Sequence, residues 1–99
     1  MKPSIRNKLE YLSERFQEIT ALLADPEVQA DVNRFRDLSR EYAQVEPVSQ
    51  CYRRYVEAEQ ELHNAEEMLY DPEMAELAEE AKAEASETLA EIEPELKQL

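Results

Sequence analysis

The fold is decided around the stretch Met68-Leu69-Tyr70-Asp71-Pro72-Glu73-Met74, which separates two segments with helical apolar spacing, 48–70 and 72–99. Asp71 suits a helix N-cap, because its carboxylate can accept hydrogen bonds from the free amide groups of the next turn. Pro72 suits the first helical position, where a missing N–H costs nothing. The stretch therefore predicts an antiparallel helical hairpin with almost no loop.

Apolar residues on the two predicted arms match in one antiparallel register. If the chain folds back between residues 71 and 72, the numbers of facing residues sum to 143. The pairs are Leu69 with Met74, Ala65 with Ala78, Leu62 with Ala81, Ala58 with Ala85, Tyr55 with Thr88 and Cys51 with Ile92. Steps of three and four residues on both arms predict a coiled-coil-like seam.

The composition favours a single all-α domain. Its 99 residues suffice for one modest core. The absence of Gly excludes a P-loop, a dinucleotide-binding fingerprint and a nucleophile elbow. Glu, Ala and Leu abound and β-branched residues are few, which favours helices throughout.

Two further helices precede the hairpin. The first, residues 4–24, has an apolar seam in alternating steps of four and three: Ile5, Leu9, Leu12, Phe16, Ile19 and Leu23. Asp25-Pro26-Glu27 repeats the pattern of the pivot and starts a second helix over 26–45, and Asp31, a second N-cap, leaves open a break near residue 31.

The apolar face of the second helix is Val32, Phe35, Leu38, Tyr42 and Val45. Glu46-Pro47 is expected to end it, because the residue before proline is pushed out of the α region. The prediction is thus a small bundle over 1–99, in which the N-terminal helix and a broken second helix pack with the hairpin.

The net charge of -13 is unevenly distributed. Residues 1–24 carry +1, residues 25–46 and 47–70 carry -3 each, and residues 71–99 carry -8. Binding to a phosphate backbone depends on Lys and Arg displacing counterions. We therefore expect no direct binding of free nucleic acid by the last helix.

No catalytic, cofactor or metal motif is apparent. Cys51 is alone, so neither an intrachain disulfide nor a multi-Cys zinc site can form. His63, the only His, is followed by Asn64-Ala65-Glu66 and lacks the Glu-x-x-His spacing of di-metal helical proteins. We expect no catalytic residue, no cofactor and no metal.

The densest basic group consists of Arg34, Arg36, Arg40, Arg53 and Arg54. Asp37, Glu41 and Glu57 lie within helical reach, so surface ion pairing is one interpretation. The other is a partner-contact patch on two neighbouring helices joined by the Glu46-Pro47 turn.

Three stretches carry a family resemblance: Met1–Glu10 (MKPSIRNKLE), Phe35–Gln44 (FRDLSREYAQ) and Met68–Met74 (MLYDPEM). In this order and spacing they resemble the N-terminal domain of bacterial peptide chain release factor 1, a class I release factor. The resemblance implies recognition of UAA and UAG on the ribosome and hydrolysis of peptidyl-tRNA. It also implies two partners, the stalk-base region of the large subunit and the release factor 3 GTPase.

The family's catalytic Gly-Gly-Gln loop and codon-reading Pro-x-Thr loop are absent from these 99 residues, so no catalytic residue is carried over. The family's chain would continue past Leu99. No signal peptide or long apolar run is present, and a cytoplasmic protein without membrane contact is expected.

Two other interpretations remain. One is a free-standing acidic helical adaptor or chaperone that binds a basic protein. The other is a metal-using helical enzyme, which would need stoichiometric metal on the isolated protein.

Overall fold

The structure is a computed structural model that describes residues 1–98. Four helices follow one another: α1 (Pro3–Leu23), α2 (Pro26–Ala30), α3 (Val32–Met68) and α4 (Ala75–Gln98). The described residues contain no strand, and the all-α prediction is confirmed. Two compact units can be distinguished, Met1–Tyr52 and Arg53–Leu99. Each is described by itself.

The turn between α1 and α2 forms as the Asp-Pro pattern predicts. The carboxylate of Asp25 accepts a hydrogen bond of 2.9 Å from the amide of Glu27, and Pro26 occupies the start of α2. The helix ends after one turn. Asp31 then accepts from the amide of Arg34 at 3.1 Å and caps α3, so the break near residue 31 is present.

The core of the first unit takes one buried residue from each of its helices: Ile19, Val28 and Leu38. Leu22, Leu23 and Tyr42 pack against them. The rings of Phe16 and Tyr42 are tilted with centroids 4.8 Å apart, which suits an aromatic pair. The second half of the predicted seam of α1, from Phe16 to Leu23, therefore faces this core.

Pro47 lies inside α3, and the prediction that Glu46-Pro47 ends the helix is wrong. The reason is packing on both sides of the proline. Before it, Leu38 belongs to the core; after it, Val48 is buried, and the hydroxyl of buried Tyr52 donates to Glu10 of α1 at 3.1 Å. An interior proline costs about 3 kcal/mol, whereas burying a side chain of this size contributes roughly 1.5 to 3 kcal/mol. Two residues beyond Pro47 therefore offset its cost.

The hairpin turn of the second unit is longer than predicted. Helix α3 ends at Met68 and α4 begins at Ala75, so the predicted boundaries at 70 and 72 are wrong by two and three residues. Asp71 still accepts from the amide of Glu73 at 3.0 Å. No residue among 1–98 has a positive φ. Without a left-handed residue of the kind that ends many helices abruptly, reversal takes a longer turn.

The predicted seam residues of both arms are shielded from solvent. Ala58, Ala65, Ala78, Ala85 and Ile92 are buried, and Leu62, Ala81 and Thr88 are half-buried. Two contacts cross between the arms and show that they are antiparallel. Tyr55 donates to Glu93 and Arg54 to Glu95, both at 3.3 Å.

The residue numbers of these two contacts sum to 148 and 149. Long side chains lean toward the N-terminus of their own helix, which raises the sum above that of the facing Cα atoms. The individual pairs of the 143 register stay a prediction. Pro94 lies inside α4, with Ile92 and Leu96 buried on either side of it. Leu99 lies outside the described residues.

Candidate partner-binding surface

The five arginines of the predicted contact patch all lie on α3. The two neighbouring helices expected for them are one helix, because Pro47 does not end it. Arg34, Arg36 and Arg40 belong to the first unit, and Arg53 and Arg54 to the second. All five are exposed.

The predicted ion pairs with these arginines do not form. Glu41 accepts two hydrogen bonds of 2.7 Å from Arg15 of α1. Within residues 1–98, Asp37 and Glu57 form no ion pair, and Arg54 alone of the five arginines forms one, with Glu95 at 3.3 Å. Arg34, Arg36, Arg40 and Arg53 therefore present their full charge to solvent.

Arg15 and Glu41 form a bidentate ion pair. The nearby Glu41 carboxylate is therefore bound to Arg15 and not to the arginines of α3. Arg15 also donates to Glu18 at 2.9 Å. The hydrogen bonds to Glu41 raise the pKa of Arg15, and those from Arg15 hold the pKa of the Glu41 carboxyl below its ordinary value of 4.5. A carboxylate held by Arg15 does not neutralise Arg40, one residue away in the sequence.

This contact predicts a pH-dependent stability difference. Because its folded-state pKa is lowered, Glu41 contributes stability that is fully present above pH 4.5 and is lost as the pH falls through that lowered pKa. We expect Glu41→Gln to lower the thermal midpoint at neutral pH and to match the parent chain in acid. Glu18→Gln, which removes a single hydrogen bond to the same arginine, is the matched control and should show a smaller difference. If the difference in thermal midpoint between Glu41→Gln and the parent chain were the same in acid as at neutral pH, the ion pair between Arg15 and Glu41 would be contradicted.

Two exposed apolar residues lie beside the arginines at the start of α3. Val32 is 68% exposed and Phe35 is 40% exposed. Their assignment to the buried face of the second helix is wrong. Each step of three residues turns the helix by about -60°, so Phe35 and Val32 lie about 60° and 120° away from Leu38. The three-residue spacing of Val32, Phe35 and Leu38 in the sequence already implies this rotation around the helix.

Viewed down the axis of α3, Val32 lies between Phe35, about 60° away in one direction, and Arg36 and Arg40, about 40° and 80° away in the other. We call this surface the Phe35 face. The exposed Asp31 lies just before it. The face therefore presents, in order along the helix, a carboxylate, two apolar side chains and two arginines without ion pairs.

The described residues contain no group of three His, Cys, Asp or Glu side chains placed to hold a metal ion. His63 contacts Glu67 at 3.2 Å on an exposed helix surface. Over residues 1–98, none of the helices combines the length and the apolar character needed to cross a membrane.

Comparison with protein families matches the PCRF domain to residues 12–99. This chain belongs to the PCRF domain family. The PCRF domain is the N-terminal domain of class I release factors, and the family resemblance seen in the sequence is confirmed. No solved structure matches the chain.

Membership of the family gives this PCRF domain a general role. It is a domain of translation termination, helical and not itself catalytic. A release-factor domain interacts with the ribosome. Arg34, Arg36, Arg40 and Arg53 are exposed and form no ion pair among residues 1–98, and they are the candidates for that interaction.

Proposed function

We propose that this PCRF domain is the N-terminal interaction domain of a factor that recognises UAA and UAG and directs release of the peptide from peptidyl-tRNA. The PCRF match over residues 12–99 carries the proposal. The stretches Met1–Glu10, Phe35–Gln44 and Met68–Met74, which resemble release factor 1, support the choice of stop codons. Such a factor acts in the cytoplasm.

Within that factor, the arginines of α3 contact the stalk-base region of the large ribosomal subunit. What supports this role is the charge pattern, in which Arg34, Arg36, Arg40 and Arg53 stay without ion pairs in a chain of net charge -13. Exposed arginines without ion pairs on an otherwise acidic protein steer the encounter with an anionic partner and orient it. The release factor 3 GTPase is the second partner, since it acts on the same ribosome-bound factor.

A termination assay tests the proposal. The complete factor that contains this chain is expected to release peptide at UAA and UAG and to be inactive at UGA. The isolated 99-residue chain is expected to release none at any codon, because it has no Gly for a Gly-Gly-Gln loop. Equal release at all three stop codons, or release by the isolated chain above background, would contradict the proposal.

A second function is favoured by one observation, the charge of -8 over residues 71–99. In a free-standing adaptor or chaperone, this acidic helix would bind a basic protein. Glu79 and Glu87 are exposed on α4. If the alternative is correct, Glu79→Lys with Glu87→Lys abolishes binding of the partner, whereas the release-factor function tolerates the change.

A further inference from the structure

The Phe35 face combines charged and apolar side chains. Arg36 and Arg40 are exposed and form no ion pair with any residue in 1–98. Val32, which lies between these arginines and Phe35 around α3, is 68% exposed, and Phe35 is 40% exposed. Aromatic residues and arginine are the types enriched at protein interfaces. The surface is therefore suited to an apolar contact next to a charged one.

The order of charges along the Phe35 face favours a protein partner over RNA. A single strand of RNA carries a negative charge at every nucleotide. Running along the face from Arg40 toward Val32, it would meet the exposed carboxylate of Asp31. A protein segment avoids this repulsion, because it can place carboxylates on one end and apolar side chains on the next turn.

Resting on the proposed function, we propose that the Phe35 face docks an acidic amphipathic helix of a ribosome-associated protein. Its carboxylates bind Arg36 and Arg40, and its apolar side chains cover Val32 and Phe35. Helices dock in this way through residues spaced by three and four, a spacing that matches the face itself. The arginines supply orientation and encounter rate, and the apolar pair supplies the part of the affinity that salt does not screen.

Photo-crosslinking tests the proposal in the complete factor bound to purified ribosomes. Position 35 carries the change Phe35→p-benzoylphenylalanine, which keeps an aromatic ring there. We expect a protease-sensitive cross-link to a protein segment that contains more carboxylates than basic residues. Adding Arg36→Glu with Arg40→Glu should reduce its yield by about tenfold or more, since one factor of ten is only 1.4 kcal/mol of binding. The matched control places the same analogue at exposed Tyr11 of α1, outside the face.

A cross-link that RNase removes, a cross-link to a basic segment, or none at all would overturn the proposal. So would a yield unaffected by the arginine changes, or capture of the same segment from position 11 with equal yield. The proposed function fails differently. The proposed function is contradicted if the complete factor does not discriminate UAA and UAG from UGA, whichever molecule is cross-linked to residue 35.

Discussion

Replacing Pro47 by alanine is expected to stabilise the chain by about 2 kcal/mol. Proline inside a helix costs about 3 kcal/mol, because its ring crowds the preceding turn and it has no N–H for the carbonyl four residues earlier. Against this, the substitution costs less than about 1 kcal/mol, since alanine gives the unfolded chain more conformational entropy than proline does. Pro47 is exposed, so no packing is lost. Chemical denaturation measures the difference.

Pro26→Ala is the matched control for this prediction. Pro26 occupies the start of α2, where the missing N–H needs no partner, so its replacement should give no gain. If Pro47→Ala also leaves the free energy of unfolding unchanged, α3 does not run unbroken through residue 47. The gain should therefore appear at Pro47 alone.

Local signals in the sequence were sufficient to predict the side-chain hydrogen bonds of both Asp-Pro turns, although only Asp25 caps a helix as predicted and α4 begins at Ala75. Asp25-Pro26-Glu27 and Asp71-Pro72-Glu73 each place a carboxylate oxygen on the amide two residues later, at 2.9 and 3.0 Å. These contacts need only neighbouring residues, which is why the pattern predicts them. The same kind of reasoning failed at Pro47, because what holds the helix there is distant in sequence. The bond from Tyr52 to Glu10 joins residues 42 positions apart.

That the arginines of α3 contact a partner stays a prediction, and the sequence did not give the contacts of the neighbouring carboxylates. The sequence identifies the arginine group but pairs it with the nearest carboxylates, and a bond between Arg15 and Glu41, 26 positions apart, lies outside any helical spacing. Phe35 was missed for a different reason. It belongs to an apolar stripe, yet a run of three-residue steps rotates it away from the core that Leu38 and Tyr42 face.

Reversing the charge of Arg36 and Arg40 is expected to weaken ribosome association of the complete factor on the order of a hundredfold at low salt, since each charge-assisted contact is worth about 1.5 kcal/mol or more. The change should leave folding intact within about 0.5 kcal/mol, because both side chains are exposed and neither forms an ion pair among residues 1–98. Salt screens charges at the surface, so the defect should shrink as salt rises.

The salt dependence of ribosome association is therefore the most direct test of the proposal that Arg36 and Arg40 of α3 contact the ribosome. It compares the parent factor, Arg36→Glu with Arg40→Glu, and the matched control Glu79→Lys with Glu87→Lys, which changes two exposed residues of α4 in the opposite sense. We predict a large, salt-sensitive loss for the arginine variant and unchanged or slightly tighter association for the control. Loss of association in the α4 variant, with none in the arginine variant, would contradict this prediction and identify the acidic helix α4 as the interface.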